Sequence, residues 1–206
     1  MKSQYDYQLY LITDDQPALL ARVKQALQGG VTAVQYRAKN QTMEAMKQVA
    51  LALKALCHQY DVPLFINDHV QLARDIGADG LHLGQQDMPI HEAHQIVGKM
   101  PIGMTAKTVL QAQQAQEAGA AYIGVGAMFA SLTKTDVPLI DWEEVRRIKN
   151  AVQIPVLLIG GITLENMTQL TMPHDGICII SDILSAQDIR QQTEKIKENI
   201  QLNIQK

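Results

Sequence analysis

Short apolar runs, rich in β-branched residues, alternate along this chain with longer stretches whose apolar positions recur at helical spacing. The pattern predicts strands at 8–13, 33–37, 63–67, 80–83, 101–105, 122–125, 156–159 and 176–180. It predicts helices at 18–28, 43–59, 69–75, 90–97, 109–118, 142–150, 164–170 and 186–200. Several helices stop at glycine, as in Asp75-Ile76-Gly77 and Glu117-Ala118-Gly119, the expected C-terminal signal. Regular β-α alternation argues for a parallel sheet with helical crossovers, and strands this apolar suit burial on both faces. Units of about 25 residues, repeated over 1–206, predict an α/β fold with one domain, a single (β/α)8 TIM barrel. The alternative is a doubly wound open sheet. No Gly-x-Gly-x-x-Gly follows the first strand, which weighs against it.

Composition narrows the function classes. The formal net charge is −3 and no basic run stands out, so no nucleic-acid partner is expected. No apolar run approaches the ~20 residues needed to span a bilayer, and no membrane partner is expected. The N-terminal residues 1–6 hold no apolar signal core, and a cytoplasmic location is the expectation. The two cysteines, Cys57 and Cys178, lie in apolar segments without metal-ligand spacing and read as buried thiols in a reducing compartment. The sequence does not fix the oligomeric state, and a homo-oligomer is compatible with it.

In a closed barrel the chemistry gathers at the C-terminal ends of the strands, so the residues just past each strand matter most. Gln35, Arg37 and Lys39 follow the second strand; alternate residues of an extended chain share a face, and these three can enter the barrel mouth together to bind anionic oxygens. A solvated loop cluster is the plainer reading. Asn67 and Asp68 follow the third strand and Asp87 follows the fourth. Hard oxygen ligands from neighbouring loops suit Mg2+, although caps for the following helices would use the same residue types. Thr105 and Lys107 mark the fifth strand end, with Thr108 the expected cap of the next helix. A long loop after the sixth strand carries Ser131, Thr133 and Lys134. Gly160-Gly161 after the seventh strand and Ser181 after the eighth sit where such barrels hold a phosphate against backbone N–H groups. The set has both charge signs, as a metal-bridged pyrophosphate beside a separate phosphate requires.

These motifs, taken together and in order, resemble the thiamine phosphate synthase family over nearly the whole chain. The stretches that carry the resemblance are Gln35-Tyr36-Arg37-Ala38-Lys39, Ile66-Asn67-Asp68, and Gly77 through Gln85 with Asp87 just after. Gly103-Met104-Thr105-Ala106-Lys107-Thr108, Tyr122-Ile123-Gly124-Val125-Gly126, Thr133-Lys134, Ile159-Gly160-Gly161-Ile162 and Ser181 complete it. The resemblance implies a transferase that joins hydroxymethylpyrimidine pyrophosphate to hydroxyethylthiazole phosphate, giving thiamine phosphate and pyrophosphate, with Mg2+ as cofactor. It implies that Gln35, Arg37, Lys39, Asn67, Thr105 and Lys134 meet the pyrimidine pyrophosphate, with Arg37, Lys39, Thr105 and Lys134 acting in catalysis. Asp68 and Asp87 would hold Mg2+; Ser131, Thr133, Gly160, Gly161 and Ser181 would face the thiazole phosphate.

The chain departs from the family pattern in places. Thr105 stands for the usual Ser and Ser131 for the usual Thr, both keeping a hydroxyl; Tyr36, Ala38 and Leu132 are also changed. Asp182 replaces a small apolar residue, and a carboxylate there suits a phosphate only if it points away. His91 and His94 lie three apart on a helix and read as a solvated face, and His82 as a core residue or one supporting a site residue. Met43, Met46 and Leu51 have core spacing. No Ser-His-Asp or Cys-His set is evident, in keeping with an attack through an aromatic nitrogen lone pair that carries no proton. Two other readings stay open: an isomerase of the thiazole tautomerase branch, and a non-catalytic phosphate-ligand-binding paralogue.

Overall fold

The computed structural model describes residues 5–39, 41–130 and 138–204. Eight parallel strands close into one barrel in sequence order: β1 (Leu9–Ile12), β2 (Ala33–Tyr36), β3 (Leu64–Asn67), β4 (Gly80–Leu83), β5 (Ile102–Ala106), β6 (Tyr122–Val125), β7 (Val156–Ile159) and β8 (Gly176–Ile179). The ring is sealed where Tyr10 of β1 pairs with Cys178 of β8. Around it run α1 (Leu19–Gln28), α2 (Met43–His58), α3 (Val70–Ile76), α4 (Ile90–Val97), α5 (Val109–Glu117), α6 (Trp142–Ala151), the short α7 (Ser181–Leu184) and α8 (Ile189–Ile204). The open-sheet alternative is excluded by this closure. No helix among the described residues is long and apolar enough to cross a membrane.

The period of two along each strand splits the core into two layers. One set of positions, such as Leu9, Leu11, Val34, Leu64, Ile66, Leu81, Leu83, Ile123 and Leu158, packs against the helices. The other set, Tyr10, Ile12, Ala33, Phe65, Tyr122, Leu157 and Cys178, fills the barrel interior together with Tyr7. Four aromatic rings plug the N-terminal half: Tyr7 lies 4.7 Å from Tyr122 between ring centroids, and Phe65 lies 5.6 Å from Tyr10 and 5.7 Å from Tyr122. Tilted and edge-to-face pairs of this kind each add about 1 kcal/mol beyond the area they bury. Room for them comes from glycine: a Cβ on Gly80 would collide with the Phe65 ring, and one on Gly103 with the Tyr122 ring. The plug gives the barrel mouth a rigid floor.

Helix starts follow local chemistry. Thr42 Oγ1 accepts from Ala45 N at α2, Thr108 Oγ1 from Gln111 N at α5 as expected, and Asp141 from Glu143 N at α6; each such cap contributes about 1 kcal/mol. Both cysteines are buried free thiols. Two expectations are corrected. The helix expected at 164–170 is one 3-10 turn, Met167–Gln169. Thr163 N donates to Asn166 Oδ1, Asn166 N to Thr163 Oγ1, and Asn166 Nδ2 to Gly161 O. These side chains satisfy the backbone locally and compete with the helical ladder. Of the three residues expected in the core on α2, Met46 is buried, but Met43 and Leu51 are 50% and 46% exposed. The buried stripe runs instead through Met46, Ala50, Leu53 and Cys57, which places Leu51 off the core face.

Candidate active site

The mouth of the barrel is built from the last inward residue of each strand and the loop beyond it. Thr13 fixes the end of β2: its N donates to Gln35 O at 2.9 Å, its Oγ1 accepts from Arg37 N at 2.9 Å, and its Oγ1 lies 3.3 Å from Arg37 O as donor. Gln35 and Arg37 are thereby held on the inner face. Together with Asn67, Asp68, His82, Asp87 and Thr105 they line one side of a cavity of about 230 Å³. The other side is Ile12, Gly124, Ile159, Cys178 and Ile180. The polar residues come from β2 to β5 and the apolar wall from β6, β7, β8 and β1. A flat, largely apolar ring can lie against that wall while an anionic tail meets the charged rim.

A larger concavity, about 550 Å³, lies at the opposite end, beside Gln8, the 3-10 turn and the start of β8. Its ionisable groups are already engaged: Asp175 accepts from Val156 N and Lys149 Nζ, and His174 Nδ1 is 3.0 Å from Met172 O. The converging charges are at the mouth.

Asp68 and Asp87 stand at the rim, next to each other in space and open to solvent. Partial desolvation, and then the charge of Asp87, push the Asp68 carboxyl up to about 6, while Arg37 pulls the other way. A carboxylate whose proton affinity is raised by a neighbouring carboxylate forms a site that a cation would relieve. Asp68 also has φ 64, a left-handed backbone uncommon outside glycine. The capping alternative finds no support: the cap positions are His69 for α3 and Pro89 for α4, neither with a side-chain cap bond. Asp87 Oδ2 accepts instead from Gly84 N at 2.6 Å, which holds it over the β4 end. Among the described residues no group of three or more His, Cys, Asp or Glu side chains gathers as for a metal. Any ion on this pair must complete its shell with water or ligand oxygens, which is ordinary for Mg2+.

Lys39 lies outside the cavity lining and is exposed, because β2 ends at Tyr36; its N donates to Asp15 Oδ2 at 3.3 Å. Ser131, Thr133 and Lys134 lie outside the described residues. Gly160 and Gly161 follow β7 with φ 100 and 65, and Ser181 opens α7 just past β8. Asp182, beside Ser181, points its carboxylate away from the mouth strands, accepting from Leu164 N and Gln192 Nε2, both at 2.9 Å. It ties the β7 loop to α8.

Gly161 is constrained twice. Its backbone is left-handed, and a Cβ would sit 2.5 Å from Phe129 O and 2.6 Å from Ala130 O. The space beside its Cα is therefore filled by the β6 loop, so a side chain there displaces that loop before it meets any ligand. Gly161→Ala should cost about 1–2 kcal/mol from the backbone alone. It should lower the melting temperature and, by shifting the segment that leads to 131–134, reduce turnover with saturating amounts of either substrate. Calorimetry together with steady-state kinetics checks this, and an unchanged melting temperature would remove the packing argument.

Comparison with known proteins gives the geometry a context. The model of the thiamine monophosphate synthase family matches residues 9–183. The chain belongs to that family. It is 43% identical over 204 residues to a thiamine-phosphate synthase of Ruminiclostridium cellulolyticum, covering 96% of this chain and 97% of the relative. It is 41% identical to one from Clostridium acetobutylicum with the same coverage. The solved thiamine phosphate pyrophosphorylase of Pyrococcus furiosus superposes with a TM-score of 0.88 at 35% identity, covering 97% of this chain and 98% of that one. Membership in the thiamine monophosphate synthase family agrees with the resemblance carried by the strand-end motifs.

Sequence reading missed part of the floor of the site. Tyr10, Tyr122 and Cys178 line the cavity, yet each was legible only as a core residue. The available signal was the strand period: each lies two positions from another inward-facing residue.

Proposed function

We propose that this protein is a Mg2+-dependent transferase that forms thiamine phosphate and pyrophosphate from hydroxymethylpyrimidine pyrophosphate and hydroxyethylthiazole phosphate. The observation that carries this reading is the divided cavity of a thiamine monophosphate synthase family chain, with Arg37 and the Asp68–Asp87 pair facing an apolar wall. The pyrimidine ring lies against Ile12, Ile159 and Ile180, where water is excluded. Its pyrophosphate extends towards Arg37, Asn67 and Thr105, and in sequence order Lys39 and Lys134 belong to the same set. Asp68 and Asp87 would hold Mg2+, which would supply positive charge to the leaving pyrophosphate.

The carbon–oxygen bond to pyrophosphate breaks, and the thiazole nitrogen lone pair forms the new carbon–nitrogen bond. That nitrogen carries no proton, so no general base is called for. The protein's task is electrostatic: preorganised donors and cations meet charge as it develops on the departing oxygens. The apolar wall keeps water from an electron-poor pyrimidine methylene. Gly160, Gly161, Ser181, Ser131 and Thr133 receive the thiazole phosphate. Small phosphorylated molecules are the partners this site takes.

Purified protein incubated with both substrates and Mg2+ should yield thiamine phosphate, followed by oxidation to its fluorescent product. No product above a buffer control, from folded protein, overturns the reading in favour of the isomerase or non-catalytic alternatives.

A further inference from the structure

Inside the barrel, five polar side chains from five strands form one chain of hydrogen bonds. Gln35 Nε2 lies 3.2 Å from Tyr10 OH, Tyr10 OH 2.8 Å from Tyr122 OH, Tyr122 OH 3.1 Å from His82 Nδ1, and His82 Nε2 3.1 Å from Thr105 Oγ1. The two ends, Gln35 and Thr105, are residues the site reading places against substrate. The three middle residues have no assigned role, and the Tyr10–Tyr122 link spans 112 positions of sequence.

The directions of these bonds are not independent, because each hydroxyl has one proton and a neutral imidazole has one N–H. The Gln35 amide nitrogen only donates, so Tyr10 accepts. If Tyr122 donated to Tyr10, the Tyr10 proton, buried among the described residues, would have no acceptor. Tyr10 therefore donates to Tyr122, and Tyr122 donates to His82 Nδ1. That ring nitrogen is then bare, and the imidazole proton sits on Nε2 and is given to Thr105 Oγ1. The Thr105 proton is left to point into the cavity. So is the Gln35 carbonyl oxygen, which accepts from no described residue while the side chain lines the cavity. Reversing any single link reverses every other. Burial pushes both tyrosine hydroxyls well above their ordinary range, so they act as neutral relays.

We propose that Tyr10, Tyr122 and His82 are positioning residues that set the Gln35 amide and the Thr105 hydroxyl as one unit, so that the cavity presents a carbonyl acceptor on β2 and a hydroxyl donor on β5. Resting on the synthase reading above, the acceptor faces the amino group of an aminopyrimidine, and the donor faces an oxygen of its pyrophosphate. Buried networks of this kind hold one arrangement because a half-satisfied alternative leaves a polar group unpaired. A bound ring then meets a pattern already in place, without reorientation of the amide on binding.

The test reads the imidazole proton directly. In protein labelled with 15N at histidine and free of substrate, the ring nitrogen shifts should show His82 as the Nε2–H tautomer. Tyr10→Phe keeps Tyr122 and Thr105 beside His82 but breaks the chain behind them. The Nδ1–H form should then appear in a comparable share. Gln35→Leu, which also leaves His82 untouched, should do the same and serves if Tyr10→Phe is poorly folded. In turnover assays Tyr10→Phe should raise KM for the pyrimidine pyrophosphate about tenfold, the cost of roughly one mis-set hydrogen bond, and leave KM for the thiazole phosphate within about twofold. An Nδ1–H tautomer in the parent protein, or a His82 signal unmoved by both substitutions, overturns the relay. The tautomer is read without substrate, so the relay and the synthase reading can fail separately.

Discussion

Arg37→Ala should lower the single-turnover rate of carbon–oxygen cleavage by about 10²-fold or more, the usual cost of removing one preorganised group that meets charge developing in the transition state. The position supports a large effect. Thr13 holds the Arg37 backbone through both its N–H and its carbonyl, and the side chain lines the charged rim of the cavity. Little ordering remains to be done when the pyrophosphate arrives. Arg37→Lys should recover only part of the rate, since an ammonium cannot reproduce a two-pronged guanidinium contact. Lys134→Ala should show a loss of similar size on the same step. Rapid-quench measurement of pyrophosphate release with saturating substrates separates this from weaker binding. A variant of either residue with the parent's single-turnover rate would make that residue a surface charge.

Asp68→Asn and Asp87→Asn should each raise the Mg2+ concentration needed for half-maximal activity by roughly ten- to a hundred-fold, with the fold retained. Two carboxylates alone hold Mg2+ weakly, so binding should also depend strongly on pyrophosphate being present. Proton and cation compete for the pair. The Asp68 carboxyl is raised to about 6 by partial desolvation and by Asp87, so it is ionised above that pH and increasingly protonated below it. The half-maximal Mg2+ concentration in the parent should therefore climb as pH falls through about 6. Asp87→Asn removes the neighbouring negative charge, lowers the Asp68 value, and should move that climb to lower pH. Titrating activity with Mg2+ at pH values on either side of about 6 reads both effects. Unshifted curves for both variants would falsify the metal site.

Much of this molecule is written locally. Strand period fixed which residues turn inward, so Gln35, Asn67, Thr105 and His82 could be placed in or beside the mouth before any coordinates, and helix ends followed from glycine and threonine. The count of eight β-α units pointed to a closed barrel, with an open sheet left as the alternative until the strand pairing excluded it. These features depend on neighbours two to four positions away, where backbone geometry and side-chain period act directly. The tertiary structure alone decided the rest. Asn166 turned an expected helix into a 3-10 turn by bonding Gly161 O, and Asp182 proved to face Leu164 and Gln192. The β6 loop pressed against Gly161, giving that glycine a packing role beside any phosphate. Tyr10 and Tyr122 read as plain core residues until closure set their hydroxyls 2.8 Å apart. A single apolar–polar period records which face a side chain takes. It carries no record of what stands across the barrel, because that partner comes from a distant strand and is fixed only when the ring of strands closes.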